Sequence, residues 1–127
     1  MKVKTSELIG PALDWAVENS LLLDRVGNPE QRSAIATRNM RVRGEVCSYC
    51  LNWAQGGPII EREIGNLWKH NKLDPNEPDV WTAAAYHKAP DGTMLYYEDG
   101  PTPLIAAMRC FVSSKLGDEV DVPEELT

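Results

Sequence analysis

The sequence predicts a mixed α+β fold, a single domain over residues 1–127 in which a small, mainly antiparallel sheet of three to four strands packs with three helices. Three observations carry that prediction. Gly-Pro pairs at 10–11, 57–58 and 100–101 each precede a stretch with apolar residues at helical spacing. Two strand-like runs flank the turn residues Pro90, Asp91 and Gly92. The composition, 43% hydrophobic and 25% charged, is that of a globular chain long enough to bury one core. The Gly-Pro spacings are unequal and their flanks differ, so they are shared capping chemistry and not a repeat array.

Each element has a local reason. Thr5 or Ser6 can cap the first helix, and Pro11 suits the first turn of that helix, over 10–19, whose Leu13, Trp15, Ala16 and Val17 share one surface. Gly27, Asn28 and Pro29 mark a loop. From Ser33 to Val46 the mixture of β-branched residues and arginines predicts one or two short strands, with Gly44 a bend or bulge. In WAQGGPIIERE, Gly56-Gly57-Pro58 marks the start of a second helix running on through Trp68, with Ile59, Ile60, Ile64, Leu67 and Trp68 in one stripe. Residues 69–80 are rich in Asn, Asp and Pro and predict a surface loop. VWTAAAYHK and TMLYYED read as a hairpin; three alanines leave a helical alternative for the first run. Thr102 as cap, Pro103 in the first turn and Gly117 past the end bound the last helix, with Leu104, Ile105, Met108, Phe111, Val112 and Leu116 on its apolar face. The acidic tail, about 118–127, is expected to lie along the surface or fray.

The net charge of −6 argues against bulk phosphate binding, and the acid is concentrated late: residues 51–127 carry thirteen Asp/Glu against six Lys/Arg. Nucleic acid is therefore not an expected partner. A local basic patch at Arg38, Arg41 and Arg43 is the candidate exception; in a strand Arg41 and Arg43 would share a face, or else guard an edge. Gly56 and Gly57 admit a second reading, an anion or nucleotide cradle at a helix N-terminus, but Glu61 comes first where Lys or Arg is wanted.

Cys47 and Cys50 have metal-chelating spacing, yet Cys110, His70 and His87 do not complete a ligand set at finger or ribbon spacing, so no metal and no cofactor are expected. His70 reads as solvated and His87 as a hydrogen-bonded strand residue. No serine sits in a nucleophile elbow, and Glu61 and Glu63 point different ways on a helix, so the chain does not read as an enzyme. Trp15, Trp53, Trp68 and Trp81 are many for this length; an exposed pair would be a binding hot spot. The odd cysteine count, the lack of a signal-length apolar run and the lack of any long apolar span lead to an expectation of a reducing, cytoplasmic setting without membrane contact.

Three segments, MKVKTSELIGPALDWAV, WAQGGPIIERE and GPTPLIAAMRCFVSSKLGDEVDVPEEL, resemble the NinX-like proteins of lambdoid phages and prophages. The likeness covers both ends and the middle. It implies an accessory phage or prophage product acting in a bacterial cytoplasm, similar to phage domains described as α/β/α sandwiches, and it transfers no catalytic residue. Together with the negative evidence for enzymes, it leads to an expectation of a non-catalytic module that binds a host or phage protein. Trp53, Gln55, Glu61 and Arg62, in the matching middle segment, are its candidate contacts, and a ligand site at Gly56-Gly57 is the alternative.

Overall fold

The computed structural model describes residues 1–43, 48–89 and 92–127. Its last helix, α4 (Pro103–Leu116), forms where capping chemistry predicts it: the Thr102 hydroxyl accepts from the Ile105 N–H at 3.2 Å, and Gly117 ends the helix at φ +91°. Ahead of it, β3 (Trp81–Ala89) and β4 (Gly92–Gly100) make the expected antiparallel hairpin; Pro90 and Asp91 of its turn lie outside the described residues. The first helix, α1 (Gly10–Leu21), carries Pro11 in its first turn, but neither Thr5 nor Ser6 caps it. Thr5 instead donates its hydroxyl to the Gly117 carbonyl at 2.6 Å and its N–H to the Asp118 carbonyl at 2.8 Å, pinning the start of the chain to the end of α4.

That pin brings together elements remote in sequence. β1 (Lys2–Lys4) pairs antiparallel with β5 (Glu119–Asp121), Val3 opposite Val120. The acidic tail is thus held rather than frayed, with Val120 and Val122 buried.

Two predicted boundaries are corrected. The arginine-rich stretch predicted as strand is a helix, α2 (Pro29–Arg43), and Gly44 lies outside the described residues. Its start is local chemistry: the Asn28 side chain accepts from the Gln31 N–H at 2.9 Å, Pro29 takes the first turn and Glu30 faces the positive helix end. The next helix, α3 (Trp53–Glu63), begins five residues before Pro58, capped by Asn52, whose side chain accepts from the Ala54 N–H at 2.9 Å. It stops at Ile64, which turns extended; Gly65 then donates its N–H to the Ala84 carbonyl at 2.8 Å and β2 (Asn66–Lys69) joins the edge of β3. A Cβ on Gly65 would lie 2.6 Å from the exposed Tyr86 ring, so a larger residue at the crossing from helix to strand would have to displace that ring.

The result is a mixed α+β fold, with, among the described residues, four α-helices where three were expected, a three-stranded sheet in the order β2-β3-β4, and the separate β1-β5 pair. α4 lies across one sheet face, where Ala83 and Ala85 are small enough to admit it; α1 packs behind α4, and α2 behind α1. The helices therefore stack outward from one face of the sheet instead of dividing between two. The core gathers Leu8, Leu13, Trp15, Met108, Phe111 and Val112, all 1% exposed or less.

Between α1 and α2 the packing is largely polar. Asn19 accepts from the Arg32 guanidinium at 2.6 Å, the Trp15 indole donates to the Thr37 hydroxyl at 3.1 Å, and Glu18 accepts from Asn39 at 3.0 Å and from the Tyr49 hydroxyl at 2.5 Å. Burial raises the Asp14 carboxyl above the ordinary carboxylate range, opposed by the Cys50 N–H that donates to it at 3.0 Å. A carboxyl raised on folding stabilises the fold below its unfolded pKa, and that contribution is lost as pH rises through the folded value. The Asp14 contribution should therefore fall as pH climbs from about 4, so that wild type loses stability relative to Asp14→Asn, which can still accept from Cys50, across that range. Urea midpoints across that range decide it; equal slopes in the two proteins would exclude the effect.

Candidate functional site

Alternation along the strands sorts the sheet side chains into two sets. Leu67, Trp81, Ala83, Ala85 and Tyr96 belong to or pack against the helical core. The other set, Asn66 and Trp68 from β2, Thr82, Ala84 and Tyr86 from β3, and Leu95, Tyr97 and Asp99 from β4, faces away. Ala84 is buried yet stands outside the core cluster, because it lies on this opposite face with Asn66 and Tyr97 beside it in register.

Around Ala84 the large side chains are open to solvent: Trp68 is 42% exposed, Leu95 41%, Tyr86 53% and Tyr97 54%. They are ordered by one another. The Trp68 and Tyr97 rings meet edge to face at 6.5 Å across β3, which the small Ala84 permits, and Asn66 donates to the Tyr86 hydroxyl at 3.4 Å. At one end the face becomes polar. The Thr82 hydroxyl donates to Asp99 Oδ1 at 2.5 Å and lies 2.5 Å from His70 Nε2. A hydroxyl has one proton to give, and the carboxylate takes it, so the His70 Nε2–H must be the donor to Thr82. Behind this row Arg109 donates to the carbonyls of Asp99 and Leu8, at 2.8 and 2.7 Å, which ties β4 to the segment before α1.

The residues singled out from sequence fall elsewhere. Trp53 is 54% exposed at the start of α3, but Gln55 is engaged, accepting from the Ser48 N–H at 2.9 Å. Glu61 is exposed, and Arg62 pairs with Glu63 at 3.2 Å. Gly56 and Gly57 lie inside α3, not at its open end, and the Gly56 N–H is already given to the Asn52 carbonyl at 2.9 Å. The turn required for an anion or nucleotide cradle is therefore absent at that position. What the two glycines do is opposite. A Cβ on Gly56 would lie 2.5 Å from the Tyr49 carbonyl oxygen and 2.6 Å from Leu104, whereas one on Gly57 meets nothing within 4 Å. Gly56→Ala should destabilise by about 1–3 kcal/mol, and Gly57→Ala should stabilise by about 0.5–1 kcal/mol. Denaturant unfolding of both variants checks this; equal shifts would overturn the assignment.

Arg38 and Arg41 are exposed on α2, but Arg41 pairs with Glu125 at 2.9 Å, and the side chain of Arg43 is outside the described set. On a helix, positions 41 and 43 do not share a face, so the predicted alignment of the basic patch does not form. Arg32 is buried and holds Asn19 and the Val26 carbonyl. Cys47 lies outside the described residues; burial pushes the Cys50 thiol up to about 12, with Asp14 adding to it, and burial likewise lifts Cys110 to about 12. Neither thiol is poised as a nucleophile. Among the described residues no cluster of three or more His, Cys, Asp or Glu could hold a metal, and no helix is long and apolar enough to cross a membrane.

Sequence reasoning missed Tyr86, Leu95, Tyr97, Thr82 and Asp99, and placed Trp68 in a helix. One signal pointed to them: in Met94-Leu95-Tyr96-Tyr97 apolar residues occupy both parities, so one of the two strand faces had to show apolar groups beyond the helix-covered side.

Fold and site together define a mixed α+β protein with one sheet face roofed by helices and the other left open and aromatic. Residues 4–115 match the family described as Bacteriophage P22, NinX, and the chain belongs to that family. No curated protein matches it.

Proposed function

We propose that this phage-family protein is an accessory interaction module that holds a host or phage protein against the open sheet face. The observation that supports it is the cluster of Trp68, Tyr86, Leu95 and Tyr97, large side chains left in solvent around a buried alanine. Aromatic residues of this kind offer much contact area for little loss of side-chain entropy and dominate protein interfaces. The chemistry of the face favours a protein over a nucleic acid: among its described side chains the one charge is the Asp99 carboxylate, which repels phosphate and suits a lysine, arginine or amide donor. A bacterial cytoplasm is the setting that the family relationship suggests.

The test is affinity purification from an infected or lysogenic culture, comparing wild type with Trp68→Ala and with Arg62→Ala. A stoichiometric partner that is retained by Arg62→Ala and lost by folded Trp68→Ala is the expected result. A partner indifferent to Trp68, or none at all, would overturn it.

A further inference from the structure

The outer edge of β4 carries a second, separate feature. The hydrogen bonds on the far side of β3 determine which backbone groups it presents. The Ala84 carbonyl is taken by Gly65 and the Val80 carbonyl by His70, so even-numbered residues of β3 address the β2 side and odd-numbered ones address β4. Their β4 partners in register are Met94, Tyr96, Glu98 and Gly100. The backbone groups of Leu95, Tyr97 and Asp99 therefore point outward. Arg109 occupies the Asp99 carbonyl at 2.8 Å, which closes one end of the edge. Among the described residues the outward N–H and C=O groups of Leu95 and Tyr97 have no backbone partner.

Sheet edges are normally guarded by Lys, Pro, a bulge or shortness. β2, the other edge of this sheet, is four residues long and bears Lys69. β4 is nine residues long, contains no Pro and pairs with β3 without a bulge; its charges, Glu98 and Asp99, sit at the end that Arg109 closes and leave Leu95–Tyr97 unguarded. Such an edge is a template for one more strand.

We propose that the β4 edge pairs antiparallel with β4 of a second copy of this chain, joining two three-stranded sheets into one of six. The strand is complementary to itself. A twofold axis at Tyr96 sets Leu95 opposite the second copy's Tyr97, so that an apolar side chain meets an aromatic one twice. Because that axis is perpendicular to the sheet, both open aromatic faces end on the same side, as one doubled platform. The edge alone carries this pairing, whatever the face binds, so it stands or falls apart from the function proposed above.

Analytical ultracentrifugation of wild type, Leu95→Lys and Tyr97→Pro tests it. The outward N–H of Tyr97 makes no bond to β3, so proline there removes an intermolecular donor and no internal one; Leu95→Lys installs the missing guard without touching the backbone. Wild type is expected to sediment at twice the chain mass at micromolar concentration, and both variants, with circular dichroism unchanged, at the chain mass. A monomeric wild type, or a dimer surviving in both folded variants, would overturn the proposal. Should proline disturb the hairpin, the lysine variant alone carries the decision.

Discussion

Trp15→Ala is expected to lower the free energy of unfolding by about 3–5 kcal/mol, the range for a large aromatic side chain removed from a packed interior. Trp15 is 1% exposed in the centre of α1, among the largest side chains of the core. Its loss acts twice. The cavity left by the indole sits between α1 and the rest of the core, and the Thr37 hydroxyl loses the donor that reached it at 3.1 Å. α2 depends on that contact more than most helices would, because Ala36 is its one fully buried apolar side chain among the described residues. The remaining attachment is Met40, partly buried against the core, together with polar contacts through Arg32, Ser33 and Asn39. Hydrogen exchange in Trp15→Ala should therefore rise first along α2, ahead of α4 and the hairpin. Trp15→Phe, which keeps most of the volume but not the N–H, should fall between the two. A loss below about 1 kcal/mol in the alanine variant would show that the core closes around the gap, contrary to the packing described.

The same α2 shows where the sequence was legible and where it was not. α1, the hairpin and α4 were readable because their signals are local: Pro11 and Pro103 in first turns, Thr102 as a cap, alternating strand residues around a turn. α2 turns a polar side toward α1, so the apolar period of 3.6 that announces a helix is missing, and its arginines and β-branched residues imitate a strand. Its true signal was Asn28-Pro29-Glu30, a cap, a first-turn proline and a first-turn acid, in a stretch where the same residues also suit a loop. In α3 the Gly-Gly-Pro punctuation outweighed Asn52, the real cap, and the end at Gly65 is set by tertiary contact with Tyr86 and Ala84, which no local rule anticipates. The β1-β5 pair, joining residues more than a hundred positions apart, is likewise invisible to periodicity. The candidate site was hidden for a related reason: Trp68 joins Tyr97 only once β2, β3 and β4 are laid side by side.

If the open face is the binding surface, Trp68→Ala should weaken the partner complex by about 2 kcal/mol or more, roughly thirtyfold in Kd. Trp68 is the largest exposed side chain of the face, and it is already oriented by the Tyr97 ring at 6.5 Å, so a partner does not have to order it. That arrangement also predicts coupling. Tyr97→Ala removes both its own contact area and the ring that steadies Trp68, so the double variant should lose less than the sum of the two single losses. Asp99→Asn should cost less binding than either ring and act mainly through the salt dependence of association, because a rim carboxylate steers more than it holds. The stability of Trp68→Ala is expected to stay close to that of wild type, since the ring is 42% exposed and lies outside the core cluster. That separation makes the measurement decisive: a folded variant with full affinity removes the face from consideration, while a folded variant that has lost its partner assigns the contact to β2 and β4.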